Sequence, residues 1–372
     1  MNASIKLGKI MGIPIGLHGS WFLIFALTTW SLASGYFPNQ YPQLSTIAHT
    51  VLAVITSILF FGSVLFHELG HSLIAIRNQV PVKAITLFIF GGVAQIARDP
   101  DSPGSEFRIA IAGPLASLLL AGVFGTLLLV SEQTQFLSAP SLYLMRINLI
   151  LALFNMIPGF PLDGGRVLRA FIWKLTGNYQ RSTQIASVSG QVVAIAFIGL
   201  GIFAIINGQF MNGLWLVFIG WFLQNAAASV SYQVNIQARL RGATVAQVMS
   251  RDCTEVPGLV TLNQIVQEHV LTKGQHCFFV VDFNSQPVGV LTLQDITRLP
   301  QVQWRYIAAR EAMTPLQKLS QVDPDTELLL ALQKMEAENL AQMTVVDEYG
   351  PVGILSRDNV IRFLQLRSKF GG

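Results

Sequence analysis

Apolar positions fall into six long blocks along this chain, at about residues 18–37, 51–77, 107–130, 142–157, 186–206 and 211–230. Blocks of that length match membrane helices, because a hydrocarbon core needs about 20 apolar residues of helix to cross it. Between the second and third blocks, residues 81–97 read PVKAITLFIFGGVAQIA, rich in β-formers with Gly91-Gly92 as a turn signal. This predicts a β-hairpin, too short and too interrupted to span. After the fourth block, residues 155–166 read NMIPGFPLDGGR, where two prolines forbid regular helix and Gly164-Gly165 permits a sharp return. From Arg239 to Gly372 the pattern becomes that of an ordinary soluble protein, placing a boundary near residues 234–242. The expectation is an α-helical polytopic membrane domain over residues 1–233, with six transmembrane helices and a membrane-associated β-hairpin.

Composition supports this division. Only 12% of residues are charged while 52% are apolar, against roughly 25% charged in a typical soluble domain. The start of the chain carries no short apolar region followed by a small-residue cleavage site, so the first block reads as a retained helix. Cys253 and Cys277 are too few for a disulfide framework and point to a reducing compartment. The net charge of +4 is no argument for nucleic acid. Its basic residues sort by topology instead. Lys6, Lys9, Arg77, Lys83, Arg98, Arg108, Arg166, Arg169, Lys174, Arg181, Arg239 and Arg241 fall on one set of alternate links, and links 38–50, 131–141 and 207–210 hold neither Lys nor Arg. By the positive-inside rule both termini and the soluble half are cytoplasmic, in a multi-pass protein of the cell membrane. Arg146, near the outer end of the fourth block, is the exception; snorkelling outward and burial in the bundle both remain open.

Inside the second block stands His67-Glu68-Leu69-Gly70-His71. An acid at the centre of a membrane helix costs roughly 2.5–3.5 kcal/mol on insertion scales, so these groups need partners. His67 and His71, four residues apart, share a helix face and can reach one zinc ion, while Glu68 stands beside them as a base for water. A catalytic zinc normally takes three protein ligands and leaves a position open. Among the other acids of this half, Asp99, Asp101 and Glu106 lie in a polar loop and Glu132 in an outside link. Asp163 lies in the break after the fourth block, and irregular backbone at membrane depth is tolerated only where protein or a watery cavity covers it. The break therefore delivers Asp163 into the bundle as the third ligand. Asn155, just before it, is placed either to donate to the oxyanion of a tetrahedral intermediate or to make a helix–helix hydrogen bond.

HELGH in a membrane helix, followed by Asn155 and by Pro-Leu-Asp163-Gly-Gly after a later one, resembles the site-2 protease family of intramembrane zinc metalloproteases. The Gly91-Gly92 hairpin and Ala112-Gly113-Pro114 fit the same pattern. The resemblance implies one zinc per chain on His67, His71 and Asp163, with Glu68 as general base and Asn155 as an assisting donor. It also implies a core of the second to fourth helices, flanked by the first, fifth and sixth. The substrate would be a transmembrane segment of another membrane protein within the lipid bilayer.

The soluble half repeats itself. Met249 and Met313, like Gly289 and Gly353, stand 64 positions apart, which marks a duplicated unit. Each copy reads as strand, tight turn, strand and acidic helix start, and together they resemble an α/β tandem CBS domain pair, with copies over residues 243–300 and 308–368. That resemblance implies an adenine nucleotide in a cleft between copies, contacted by a Ser/Thr-x-x-Asp. Thr292 and Asp295 fit this in the first copy; in the second, Ser356 is followed by Asp358, one position early. A regulatory nucleotide site and a purely structural module forming a homodimer stand as alternatives. For the whole chain, a transporter or channel gated by the CBS pair is the rival reading. It gives no reason for Glu68 beside two histidines at helical spacing.

Overall fold

The computed structural model describes residues 5–89, 91–96, 98–131, 134–251, 253–340, 342–348 and 350–370. Glu132, and Phe90 and Ala97 of the 81–97 segment, lie outside these described residues. The chain divides into two units, Met1–Val234 and Asn235–Gly372.

The first unit opens with two strands that its sequence pattern did not announce, β1 (Ile5–Ile10) and β2 (Ile13–Leu17). Ile13, Ile15 and Leu17 alternate with Pro14 and Gly16 and are buried, a strand's period of two compressed into five residues. β3 (Val82–Phe88) pairs parallel with β2, and β4 (Gly91–Ile96) pairs antiparallel with β3. The result is a four-stranded sheet in the order β1-β2-β3-β4, with β4 on an edge.

The first apolar block is a helical run of three pieces rather than one helix: α1 (Ser20–Ser31), a π-helical turn (Leu32–Tyr36) and α2 (Phe37–Gln40). The next is α3 (Thr46–Arg77), 32 residues long and started by Ser45, whose hydroxyl accepts from the Ala48 amide. α4 (Pro103–Val130) begins with Ser102 as its cap and Pro103 in the first turn, where proline's missing N–H is not needed. Its start lies upstream of the expected one, so Glu106 belongs to a helix and not to a polar loop. α5 (Gln135–Asn155), α6 (Asp163–Thr176), α7 (Tyr179–Ile206) and α8 (Phe210–Leu240) complete the unit. Among the described residues, five helices are long and apolar enough to cross a membrane: α3, α4, α5, α7 and the Phe210–Val234 part of α8.

Between α5 and α6 the chain breaks at residues 156–162, as the two prolines require. Gly164-Gly165 does not form the sharp return expected of it. Both glycines lie in the first turn of α6, where a Cβ would strike the backbone of Met156 and Ile157 in one case and of Gly159 and Phe160 in the other. Their absent side chains let the break fold back onto the helix it precedes.

The second unit holds two sheets. β5 (Thr254–Pro257), β6 (Cys277–Val281), β7 (Pro287–Thr292) and β8 (Thr314–Pro315) form one in that order. β9 (Gln321–Val322), β10 (Gln342–Asp347) and β11 (Gly350–Ser356) form the other, in the order β11-β10-β9. Each has its own apolar core, one around Leu262, Phe278 and Leu291 and one around Leu328, Met343 and Leu355. Cys253 and Cys277 are joined in a disulfide, contrary to the expectation of free thiols in a reducing compartment. β5 and β6 run parallel with Thr254 opposite Phe278, which brings the preceding residues Cys253 and Cys277 side by side. Sequence spacing alone does not reveal strand neighbours.

Candidate metal centre

α3 presents His67 and His71 on its inner face, only 4% and 5% exposed. The break after α5 delivers Asp163 to them as the first residue of α6, and its carboxylate is the third member of the cluster. His67 Nε2 lies 3.2 Å from His71 Nε2, and each lies 3.2 Å from Asp163 Oδ2. Three vertices of a tetrahedron about 2.0–2.1 Å from its centre, the range of zinc–nitrogen bonds, stand about 3.3 Å apart. The observed triangle therefore has the size of one face of a zinc site.

The surroundings of the rings decide what they can do. His71 Nδ1 lies 2.7 Å from the Ile109 carbonyl, which can only accept, so the ring hydrogen is assigned to Nδ1 and Nε2 keeps its lone pair. His67 Nδ1 lies 2.9 Å from Ser117 Oγ. With neutral rings so oriented, two lone pairs and a carboxylate oxygen face one another in a buried space. Such a set is electrostatically incomplete without a cation, and an imidazole fixed through its second nitrogen is the usual form of a metal ligand. The residues present therefore fit a zinc ion.

Two glycines make room. A Cβ on Gly113 of α4 would collide with His71 Nε2 and stand 2.6 Å from His67 Nε2, so only glycine lets the helix pass the ligands. A Cβ on Gly92 of β4 would lie 2.5 Å from Glu68 Cγ. β4 thus backs Glu68 as α4 backs the histidines.

These groups line a cavity of about 580 Å³, walled by residues of α1, α3, β4, α5, α6 and by Trp215 of α8. Asn155 lines it too, as the last residue of α5, but its Nδ2 donates to the Leu151 carbonyl 3.0 Å away in its own helix. Arg166 also lines the cavity and was read from sequence only as a topology charge.

In the second unit a cleft of about 200 Å³ is lined by Ser250, Thr292, Ser356, Asp358, Asn359 and Arg362 among others. Asp295 does not line it. Its Oδ2 accepts from Thr292 N and Oγ1 at 3.0 and 2.8 Å, capping the short helix Leu293–Thr297. In the second copy Asn359, not Asp358, takes that place. It hydrogen-bonds Ser356 Oγ and donates from Nδ2 to Ser250 Oγ at 2.8 Å. The 64-residue offset pairs Asp295 with Asn359, so the second motif keeps its spacing and exchanges carboxylate for amide. Asp358 lies on the cleft and accepts from Gln294 Nε2 at 3.3 Å.

The model of Peptidase family M50 matches residues 55–141 and 131–200, and the CBS domain model matches residues 245–301 and 309–366. A protein of Synechocystis sp. named as a zinc metalloprotease is 35% identical over 98% of this chain and 96% of its own length. A zinc metalloprotease of Methanocaldococcus jannaschii is 32% identical over 98% of this chain and 97% of its own. The chain belongs to Peptidase family M50. This M50 chain is a zinc metalloprotease of the site-2 type, and its second unit is a tandem CBS module. A solved site-2 protease from Methanocaldococcus jannaschii is 33% identical and covers 61% of this chain and 94% of that one, with a TM-score of 0.43.

Proposed function

We propose that this protein is an intramembrane endopeptidase that hydrolyses a peptide bond within a transmembrane segment of another membrane protein. The observation that carries this reading is the meeting of His67 Nε2, His71 Nε2 and Asp163 Oδ2, with Glu68 beside them, in a cavity lined by membrane-length helices. His67, His71 and Asp163 would hold one zinc, which supplies a Lewis acid to polarise water and the scissile carbonyl. Glu68 removes the proton from the attacking water and delivers it to the leaving amine nitrogen as the C–N bond breaks. Asn155, with one amide hydrogen given to Leu151, keeps its second for the substrate carbonyl oxygen. A helical substrate hides its carbonyls in i→i−4 bonds and has to unwind first. β4, the end strand of its sheet and next to Glu68, offers the unwound strand backbone partners.

The membrane unit of this reading spans residues 1–233, with the 20–40 helical run as a sixth crossing and both termini in the cytoplasm. The CBS copies span residues 243–300 and 308–368. Their cleft is proposed to take an adenine nucleotide bordered by Thr292, Ser356 and Asp358, with Asp295 acting through Thr292. A homodimerising module is the second reading; it is favoured by the amide at Asn359, which is committed to Ser250. Cleavage that responds to ATP or AMP supports the first, and identical rates without binding support the second.

The test of the protease reading compares membranes containing wild type with membranes containing Glu68→Gln. A fragment of a membrane protein should appear only with wild type, while the variant keeps its zinc. Equal release by both would overturn the mechanism.

A further inference from the structure

Glu106 has no exposed surface, and among the described residues it is the one acid buried outright. Its Oε1 accepts from Arg166 Nε at 2.9 Å and from Arg169 Nη2 at 2.6 Å. Both arginines belong to α6, one and two turns beyond Asp163. We infer that Glu106 is a positioning residue for the metal centre: it fixes α6, and with it the Asp163 carboxylate, through Arg166 and Arg169. This rests on the zinc reading given above and extends it to a residue outside the ligand set.

The geometry leaves α6 little freedom. Arg169 lies over the rings of Phe160 and Tyr179, 5.0 and 4.8 Å from their centroids, and donates to the Tyr179 hydroxyl at 2.7 Å. Phe160 belongs to the break itself, so one guanidinium grips both the break and the helix that follows it. Arg166, meanwhile, reaches from the cavity wall back to Glu106. Apolar replacement of such buried charge clusters is often neutral or stabilising, so packing gives no reason to keep one here. A charged triad does fix rotation and register, because each guanidinium offers its donors in one plane. Metal ligands need that, because a site left about 1 Å too loose by its supporting shell loses its function.

The position of Glu106 on α4 is equally telling. Glu106, Ile109, Gly113 and Ser117 follow at helical spacing along one face. Ile109 orients His71, Ser117 orients His67, Gly113 makes space for both rings, and Glu106 holds the helix of Asp163. One helix face thus serves every ligand in turn.

The experiment measures zinc affinity of the purified full chain by chelator competition, alongside the thermal midpoint of the zinc-free protein. Glu106→Gln keeps the side-chain volume but cannot neutralise two guanidiniums. Its zinc dissociation constant should rise about 10–100-fold, the usual effect of losing an outer partner of a metal ligand. Arg169→Lys keeps the charge and loses the planar fork, and should shift affinity in the same direction by a smaller factor; it carries the test if Glu106→Gln does not fold. A lowered midpoint with wild-type zinc affinity in the folded protein would mean a role in folding alone and overturn the inference. Asp163→Asn separates the two levels, since unchanged zinc binding there would refute the ligand assignment itself.

Discussion

The two units of this protein are built inside out relative to one another. Among the described residues, the membrane unit buries a long series of polar side chains, from His49 and Ser57 through Asn148 and Arg169 to Ser187, while the CBS unit buries one, Thr344. Large apolar side chains show the reverse. Leu129, Val130, Phe203 and Ile206 are among the many that face outward from the membrane unit, whereas the CBS unit gathers buried Leu, Ile, Val and Phe into three cores. Where the surrounding solvent is lipid, burial of apolar surface gives little reason for helices to associate, and polar and close-packed contacts take over that task. In water the apolar core does the work. The lesson is that a buried polar group in the first unit serves either helix association or chemistry, and that a mutation should hit one or the other according to the unit it falls in.

Substitutions can break that division. The largest effect is expected for Glu68→Gln, which should lower the cleavage rate by about 10²–10⁴ if Glu68 is the base, with no change in thermal midpoint. A lowered midpoint would show that Glu68 also holds the fold. Leu328→Ala in the CBS core should destabilise that unit by about 2–5 kcal/mol, read by denaturant unfolding, and leave zinc content at wild-type level; loss of zinc would show that the units are not separable. Ser117→Ala removes the partner of His67 Nδ1 and should weaken zinc binding about 10–100-fold, measured by chelator competition. The smallest effect belongs to Thr344→Val. The Thr344 hydroxyl is buried without a partner among the described residues, and its removal should stabilise the CBS unit by up to about 1 kcal/mol. A loss of stability there would mean that the hydroxyl has a partner after all.

Much of the site was legible because its signals are local. His67, Glu68 and His71 sit on one turn of a helix, and the prolines around Asp163 mark a break that no regular element tolerates. The duplication of the second unit was equally plain from its constant offset. What escaped depends on distant neighbours. Glu106 meets Arg169 from 63 positions away, and its helix starts earlier than the apolar pattern because the first turn of α4 is polar. Cys253 and Cys277 meet only because β5 and β6 are adjacent. Asp358 was singled out over Asn359 because an acid was sought, whereas the capping position is set by spacing and was filled by an amide. The strands β1 and β2 are too short for period-two alternation to stand out before a long apolar block.

The close approach of α3 and α4 has a mechanical consequence. Gly113 of α4 fits against His67 and His71, and Gly70 of α3 fits against α4 in return, where a Cβ would lie 2.8 Å from the Ala112 carbonyl oxygen. Two such reciprocal fits interlock the helices like a tongue in a groove, so sliding or rolling one past the other would drive backbone into backbone or into the imidazoles. The pair behaves as a stiff beam on which the chemistry is mounted. α8 is fitted to α7 in the same way, a Cβ on Gly213 or on Gly201 falling less than 3 Å from the other's carbonyl oxygen, so on the proposed reading the motion that admits a peptide falls to α1, which touches the cavity through Ile24 and Thr28.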